Sequence, residues 1–189
     1  MENQSQQHKS RISEGEFRHY VFERQELMDE TRRFLEQAGY EWKPADYVGL
    51  VQPDFRAKRK VEGRRYEIVG LLRESMDEAV DALIRLSAIR AVNADADCVL
   101  VMPPINEYVL IEFLMDERGR WYFSMKDAKI SVWFVNPDNR TTMCVIGGPR
   151  DRDMAKYFFM SQASFDEYMS MRAMHLIQER LLAEEEEDD

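Results

Sequence analysis

VGLVQPDFRAKRKVEGRRYEIVGLL, residues 48–72, is the stretch whose reading decides the fold. Residues 48–60 and 65–72 have the composition of strands, and Val61-Glu62-Gly63-Arg64 between them has the glycine and the polarity of a hairpin turn. Each strand carries one conspicuous acid: Asp54 after Pro53, and Glu67 thirteen residues later at the head of Glu67-Ile68-Val69. Two carboxylates that converge from neighbouring strands can hold a hard Mg²⁺ ion. The turn decides whether these converge. A two-residue turn at Glu62-Gly63 puts Lys60 opposite Arg65 and Lys58 opposite Glu67, and leaves Asp54 opposite Leu71, ~13 Å along the strand from Glu67 and too far for a shared ion. A four-residue turn, Lys60 to Gly63, puts Asp54 opposite Val69 and on a diagonal from Glu67, with Arg56 facing Glu67. In either register a cation faces Glu67, so a cross-strand ion pair is at least as good a reading of this acid as metal ligation.

Working outward, three capping boxes mark helix starts: Ser13-Glu14-Gly15-Glu16, Ser75-Met76-Asp77-Glu78 and Ser164-Phe165-Asp166-Glu167. Phe17, Val21, Met28, Thr31, Leu35 and Ala38 then recur at helical steps before Gly39, predicting a helix over 16–38. Val80, Leu83, Ile84, Ser87 and Ala91 predict a second helix ending near Asn93, and Phe165, Tyr168, Met169, Arg172 and Leu176 a third that runs into the C-terminal acids. Cys98 to Met102, stopped by Pro103-Pro104, and Ile130 to Val135, closed by Asn136-Pro137-Asp138, read as strands buried on both faces. Between them, residues 106–126 are either a second hairpin around Asp116-Glu117-Arg118-Gly119 or a helix followed by a strand. A helix between the hairpin and the next strand implies a crossover and a mixed sheet covered on both faces.

This order, with Pro53-Asp54 and Glu67-Ile68-Val69 on the hairpin, the helix from Met76 and the apolar strand Cys98 to Met102, resembles the core of the PD-(D/E)XK nuclease superfamily over residues 16–135. The resemblance implies a restriction-endonuclease-like α/β fold, a mixed central sheet flanked by helices, here with a C-terminal helical extension. It makes Asp54 and Glu67 the metal ligands and catalytic carboxylates, with Mg²⁺ as the cofactor if the protein is active, and lets Glu26 or Glu30 of the first helix join them. The family's lysine, which orients the attacking water and offsets charge on the phosphate, falls at Val69. Valine can do neither. Arg56 stands two residues after Asp54, where such hairpins are usually apolar, and Asp81-Ala82-Leu83-Ile84-Arg85-Leu86 lacks the glutamine of some branches. Lys58 or Arg56 could replace the lysine from the neighbouring strand, which makes Lys58 a third candidate catalytic residue; Val69→Lys would restore the group at its usual place.

Composition narrows the remaining possibilities. The 189 residues suit one domain, taken as 13–183 between a disordered segment at 1–12 and an acidic tail at 184–189. No apolar run reaches the ~18 residues needed to cross a bilayer and the start lacks the apolar stretch of a signal peptide, so the chain reads as cytoplasmic with no membrane partner. Glu184 to Asp189 supply six of the ten net negative charges, and against this background Arg56, Lys58, Arg59, Lys60, Arg64 and Arg65 form a basic cluster suited to nucleic acid. Cys98 and Cys144 read as buried thiols, and His8, His19 and His175 have no metal spacing. Gly147-Gly148-Pro149-Arg150 lacks the ending of a phosphate loop and reads as a turn. Methionines and aromatics gather over residues 154–176, either as core or as a surface for a protein partner or a second copy of the chain.

The leading expectation is a catalytically degenerate nuclease-like domain, without cofactor, that binds a partner through its basic hairpin, with nucleic acid as a candidate partner. The alternatives are an active Mg²⁺-dependent nuclease with a relocated cation, and a protein-interaction module built on residues 154–176.

Overall fold

The computed structural model describes residues 20–105 and 127–161, with positions 163, 164, 167, 170, 171, 174 and 175 beyond them. Its centre is the hairpin of β2 (Phe55–Val61) and β3 (Arg64–Leu72). Glu62 and Gly63 both take positive φ, 49° and 81°, as a tight two-residue hairpin turn requires. The turn therefore selects the first of the two registers: Lys60 pairs with Arg65 and Lys58 with Glu67. Around the hairpin stand β1 (Glu41–Lys43), β4 (Asp97–Met102), β5 (Ser131–Asn136) and β6 (Thr141–Ile146), making a six-stranded sheet in the order β1-β2-β3-β4-β5-β6. The inner pairs β3/β4 and β4/β5 are parallel and the outer ones antiparallel, so the sheet is mixed.

Side-chain alternation gives the sheet two apolar faces. On one, Val69, Leu71, Cys98, Leu100 and Val132 pack beneath α2 (Ala79–Val92), which buries Ala79, Ala82, Leu86 and Ile89. On the other, Phe55, Ile68, Leu72, Val101 and Trp133 pack beneath α1 (Arg24–Gln37), which buries Leu27, Phe34 and Leu35. β4, all six of its residues buried, is the strand covered on both faces that its unbroken apolar run predicts. Gly70 is required by its neighbour: the Phe55 ring lies over it, and a Cβ there would stand 2.0 Å from Phe55 Cζ. The α/β architecture, a mixed sheet flanked by helices, is thus the expected one.

Several boundaries need correction. α1 starts at Arg24, where Glu23 and Glu26 form the capping box, rather than at residue 16; Tyr20 instead bridges to Pro104 and Phe22 is buried. Ser13 to Glu16 lie outside the described residues. The box at Ser75 is displaced by one: Glu78 accepts the N–H of Glu74, and α2 proper begins after a short 3₁₀ turn, Met76–Glu78. Residues 48–54 are not strand, because Val48 and Val51 bridge each other across a turn at Gly49, whose φ is 61°. β1 and β6 are additions, each a short outer strand. The 106–126 alternative lies outside the described residues, as do 1–12 and 184–189; the described positions from 163 to 175 are helical. Cys98 and Cys144 are buried and unbridged, and burial pushes the Cys98 thiol up to about 11. Among the described residues no helix is long and apolar enough to cross a membrane.

Candidate functional site

Asp54 sits immediately before β2, its N–H bonded to the Gly70 carbonyl at 2.9 Å. Its Oδ2 accepts the Leu72 N–H at 2.7 Å and Arg73 Nη1 at 3.1 Å, and its Oδ1 meets Arg24 Nη2 at 2.7 Å. Arg24 and Arg73 both also donate to the Leu72 carbonyl, and Arg73 reaches Asp81 on α2 at 3.3 Å. The carboxylate thus ties the first residue of α1, the start of β2 and the end of β3 together, and Arg73 extends the tie to α2. Three donors occupy most of the roughly four lone-pair sites that an ionised carboxylate offers.

Glu67 is engaged separately. Its Oε1 accepts Arg56 Nε at 3.1 Å and Nη2 at 2.5 Å, with Lys58 Nζ at 3.4 Å, while Oε2 accepts Asn93 Nδ2 from the end of α2 at 3.3 Å. Burial by itself would raise the Glu67 pKa; the bonds from Arg56 and Asn93 and the charges of Arg56 and Lys58 outweigh it and hold the group below the ordinary carboxylate range.

The structure does not bring these two carboxylates together. In the observed register Asp54 precedes the Phe55–Gly70 pair while Glu67 pairs with Lys58, a separation of ~13 Å along the strands. Glu26 caps the N-terminus of α1 by accepting the Glu23 N–H, and the buried Glu30 is held by Arg33, so each acid of the first helix is engaged within its own helix. No group of three or more His, Cys, Asp or Glu placed to hold a metal occurs among the described residues. Asp54 and Glu67 as placed do not fit a shared Mg²⁺. Val69, where the sequence resemblance would place a lysine, is fully buried in the core under α2. Arg56 and Lys58 both face Glu67 and pair with it.

The basic cluster is divided by the pleat. Arg56, Lys58, Lys60 and Arg65 project from the α2 side of the sheet, Arg59 and Arg64 from the α1 side. Arg59 is committed inward: it bonds Asp151 at 2.5 Å, lies 4.0 Å from Asp153 and stands over the Tyr40 ring. Asp151 also accepts the Tyr40 hydroxyl at 3.1 Å, and burial together with that carboxylate raises the Tyr40 pKa. Lys58, Lys60, Arg64 and Arg65 are exposed around the far end of the hairpin. Four cations therefore remain at the surface out of the six. Residues 154–176 divide too: Met154 and Phe158 are buried, Phe158 against Phe34 and Trp133, whereas Phe159, Met171 and Met174 are exposed.

The sequence reading missed the ion pairs that decide the site. Arg24 and Arg73 reach Asp54, Asp151 reaches Arg59, and Arg150 reaches Asp97 at 2.9 Å. Apart from Arg73, 19 residues from Asp54, each joins segments separated by tens of residues. No local spacing signals such a contact.

No protein-family model matches the chain, and a search of curated proteins finds no match. Among solved structures, the chain is similar to an XisH family protein from Nostoc punctiforme, with 12% identity, a TM-score of 0.44, and 62% of this chain and 95% of that chain covered. It is similar as well to an fdxN element excision controlling factor protein from Anabaena variabilis, with 13% identity, a TM-score of 0.42, and 63% and 96% covered.

Proposed function

We propose that this chain is a degenerate nuclease-like domain that binds nucleic acid through the distal end of the β2–β3 hairpin and does not hydrolyse it. The observation that carries the reading is a division of labour among charges. Asp54 and Glu67, which metal-dependent cleavage would need free and adjacent, are each neutralised by their own cations and lie apart. Lys60, Arg64 and Arg65, which polyanion binding would need, are exposed at the hairpin tip. In a chain of net charge −10 that tip is a basic pole able to steer and hold a phosphate backbone.

The test is fluorescence anisotropy of labelled DNA and RNA across a salt series. Affinity is expected to fall steeply with salt, and Lys60→Glu, Arg64→Glu and Arg65→Glu together to flatten the slope. Lys58 and Arg59 are left in place because Glu67 and Asp151 depend on them. Absence of binding at low salt would remove nucleic acid from consideration. The exposed Phe159, Met171 and Met174 favour a second reading, a protein-interaction surface; a concentration-dependent dimer abolished by Met171→Glu in sedimentation experiments would favour it.

A further inference from the structure

β3 is longer than the strand beside it. Its pairing with β4 begins only at Ile68, opposite Asp97, so residues 64–67 overhang β4 and, among the described residues, no strand pairs with them on that edge. Two clefts flank this overhang. One, of about 260 Å³, is lined by Val61, Glu62, Arg64 and Tyr66 together with residues 150–153. The other, of about 280 Å³, is lined by Arg65, Tyr66, Glu67, Asp95, Asp97 and Arg150. They share Tyr66 and Arg150, which form the saddle between them.

Four arginines border the pair of clefts, and two of them, Arg150 and Arg152, come from the segment after β6 and lie far from the hairpin in sequence. Arg150 is positioned by Asp97, which accepts both its backbone N–H at 3.0 Å and its Nε at 2.9 Å. Its side chain remains half exposed, with Nη1 3.8 Å from Asp95. Arg152 is exposed. Three of the six acids that line the clefts are paired from within, Glu67 with Arg56, Asp97 with Arg150 and Asp151 with Arg59, while Glu62, Asp95 and Asp153 are exposed. Tyr66, the shared aromatic wall, is only partly buried and is braced from below by the α1-side core.

We infer that this double cleft is a binding site for single-stranded nucleic acid, in which a base stacks on Tyr66 and the flanking phosphates meet Arg64 and Arg65 on one side and Arg150 and Arg152 on the other. The inference rests on the hairpin-tip reading and extends it across the sheet to a second segment. A braced aromatic ring flanked by exposed arginines is an arrangement that can hold a strand whose bases are free to unstack. A duplex keeps its bases paired and stacked inside the helix, away from a ring recessed between two clefts.

The experiment is anisotropy of the full chain with fluorescein-labelled oligothymidylate and with a labelled duplex of equal length, between about 50 and about 200 mM salt. The single strand is expected to bind at least tenfold more tightly than the duplex. Tyr66→Leu is expected to weaken single-strand binding about tenfold, with Tyr66→Phe retaining it. Arg152→Ala, a surface change, is expected to lower the salt slope by about 0.7. Equal affinity for both probes, with Tyr66→Leu and Arg152→Ala at native affinity, overturns the double cleft while leaving binding at the hairpin tip standing. Binding of neither probe at the lowest salt overturns both. Far-ultraviolet circular dichroism confirms that each variant is folded, and Arg152→Ala decides the point if Tyr66→Leu is not.

Discussion

Val69→Lys separates an empty catalytic position from a piece of core. Val69 is fully buried, pairs with Cys98 on β4 and lies in the cluster under α2. Removing the valine forfeits about 1.5–3 kcal/mol of burial. The introduced ammonium is worse placed, because Glu67 and Asp54 are already held by arginines. Buried lysines can titrate near pH ~5–6 against ~10.4 in an unfolded chain, which amounts to about 4–5 kcal/mol at neutral pH. Together these approach the whole stability of an ordinary domain, about 5–15 kcal/mol. The sign of the pH dependence follows. The folded pKa lies below the unfolded one, so the unfolded state binds more protons between the two, and the variant is expected to regain about 1.4 kcal/mol per unit as pH rises toward ~10. Val69→Met is the control: it costs about 1–3 kcal/mol by overpacking, independent of pH. Urea unfolding followed by tryptophan fluorescence measures both. A Val69→Lys protein within about 1 kcal/mol of native and flat with pH would mean that the side chain reaches solvent or a partner, and would refute the packing described.

Other perturbations test the remaining contacts. Gly70→Ala is expected to destabilise the fold by about 3 kcal/mol or more, since its methyl meets the Phe55 ring at 2.0 Å, and Phe55→Leu in the same chain to recover part of the loss; thermal melts compare the two. Asp151→Ala is expected to cost about 3–5 kcal/mol in urea unfolding, because Arg59 and the Tyr40 hydroxyl lose their shared partner in a buried site. Glu67→Gln is expected to lower stability by about 1–3 kcal/mol at neutral pH. The Glu67 pKa is depressed in the fold, so its contribution is present above the ordinary carboxylate pKa and lost as pH falls through the folded value; native and variant unfolding curves are expected to converge in acid. Millimolar Mg²⁺ or Mn²⁺ is expected to leave the melting temperature unchanged, since the two carboxylates do not share an ion site.

The parts of the fold legible in the sequence are those specified by local chemistry. The glycine and polarity of Val61 to Arg64 announce a hairpin turn, though not its length, and the unbroken apolar runs of β4 and β5 announce strands covered on both faces. β1 and β6 escaped because neither carries such a signal: Glu41-Trp42-Lys43 is three residues, and the Thr-Thr-Met start of β6 reads as loop until β5 is there to pair with it. The turn at Val48 to Val51 passed for strand because three of its four residues are β-favouring or apolar, and only the positive φ of Gly49 exposes the reversal. The candidate site was legible as a list of residues and not as an arrangement. Both registers of the hairpin are compatible with its pattern, and Arg24 and Arg73, which occupy Asp54, arrive from outside it. Division of the basic cluster between two faces follows from register as well, and Arg150 and Arg152 join it only through the tertiary fold.

The central claim, binding without cleavage, is tested most directly by incubating the native chain with a labelled single-stranded oligonucleotide in Mg²⁺ and resolving the mixture on paired native and denaturing gels. A shifted band on the native gel and an oligonucleotide of undiminished length on the denaturing one are the expected result. Metal-dependent shortening that is lost in Asp54→Ala and Glu67→Ala would contradict the claim, and would require the two carboxylates to leave their arginines and meet around an ion.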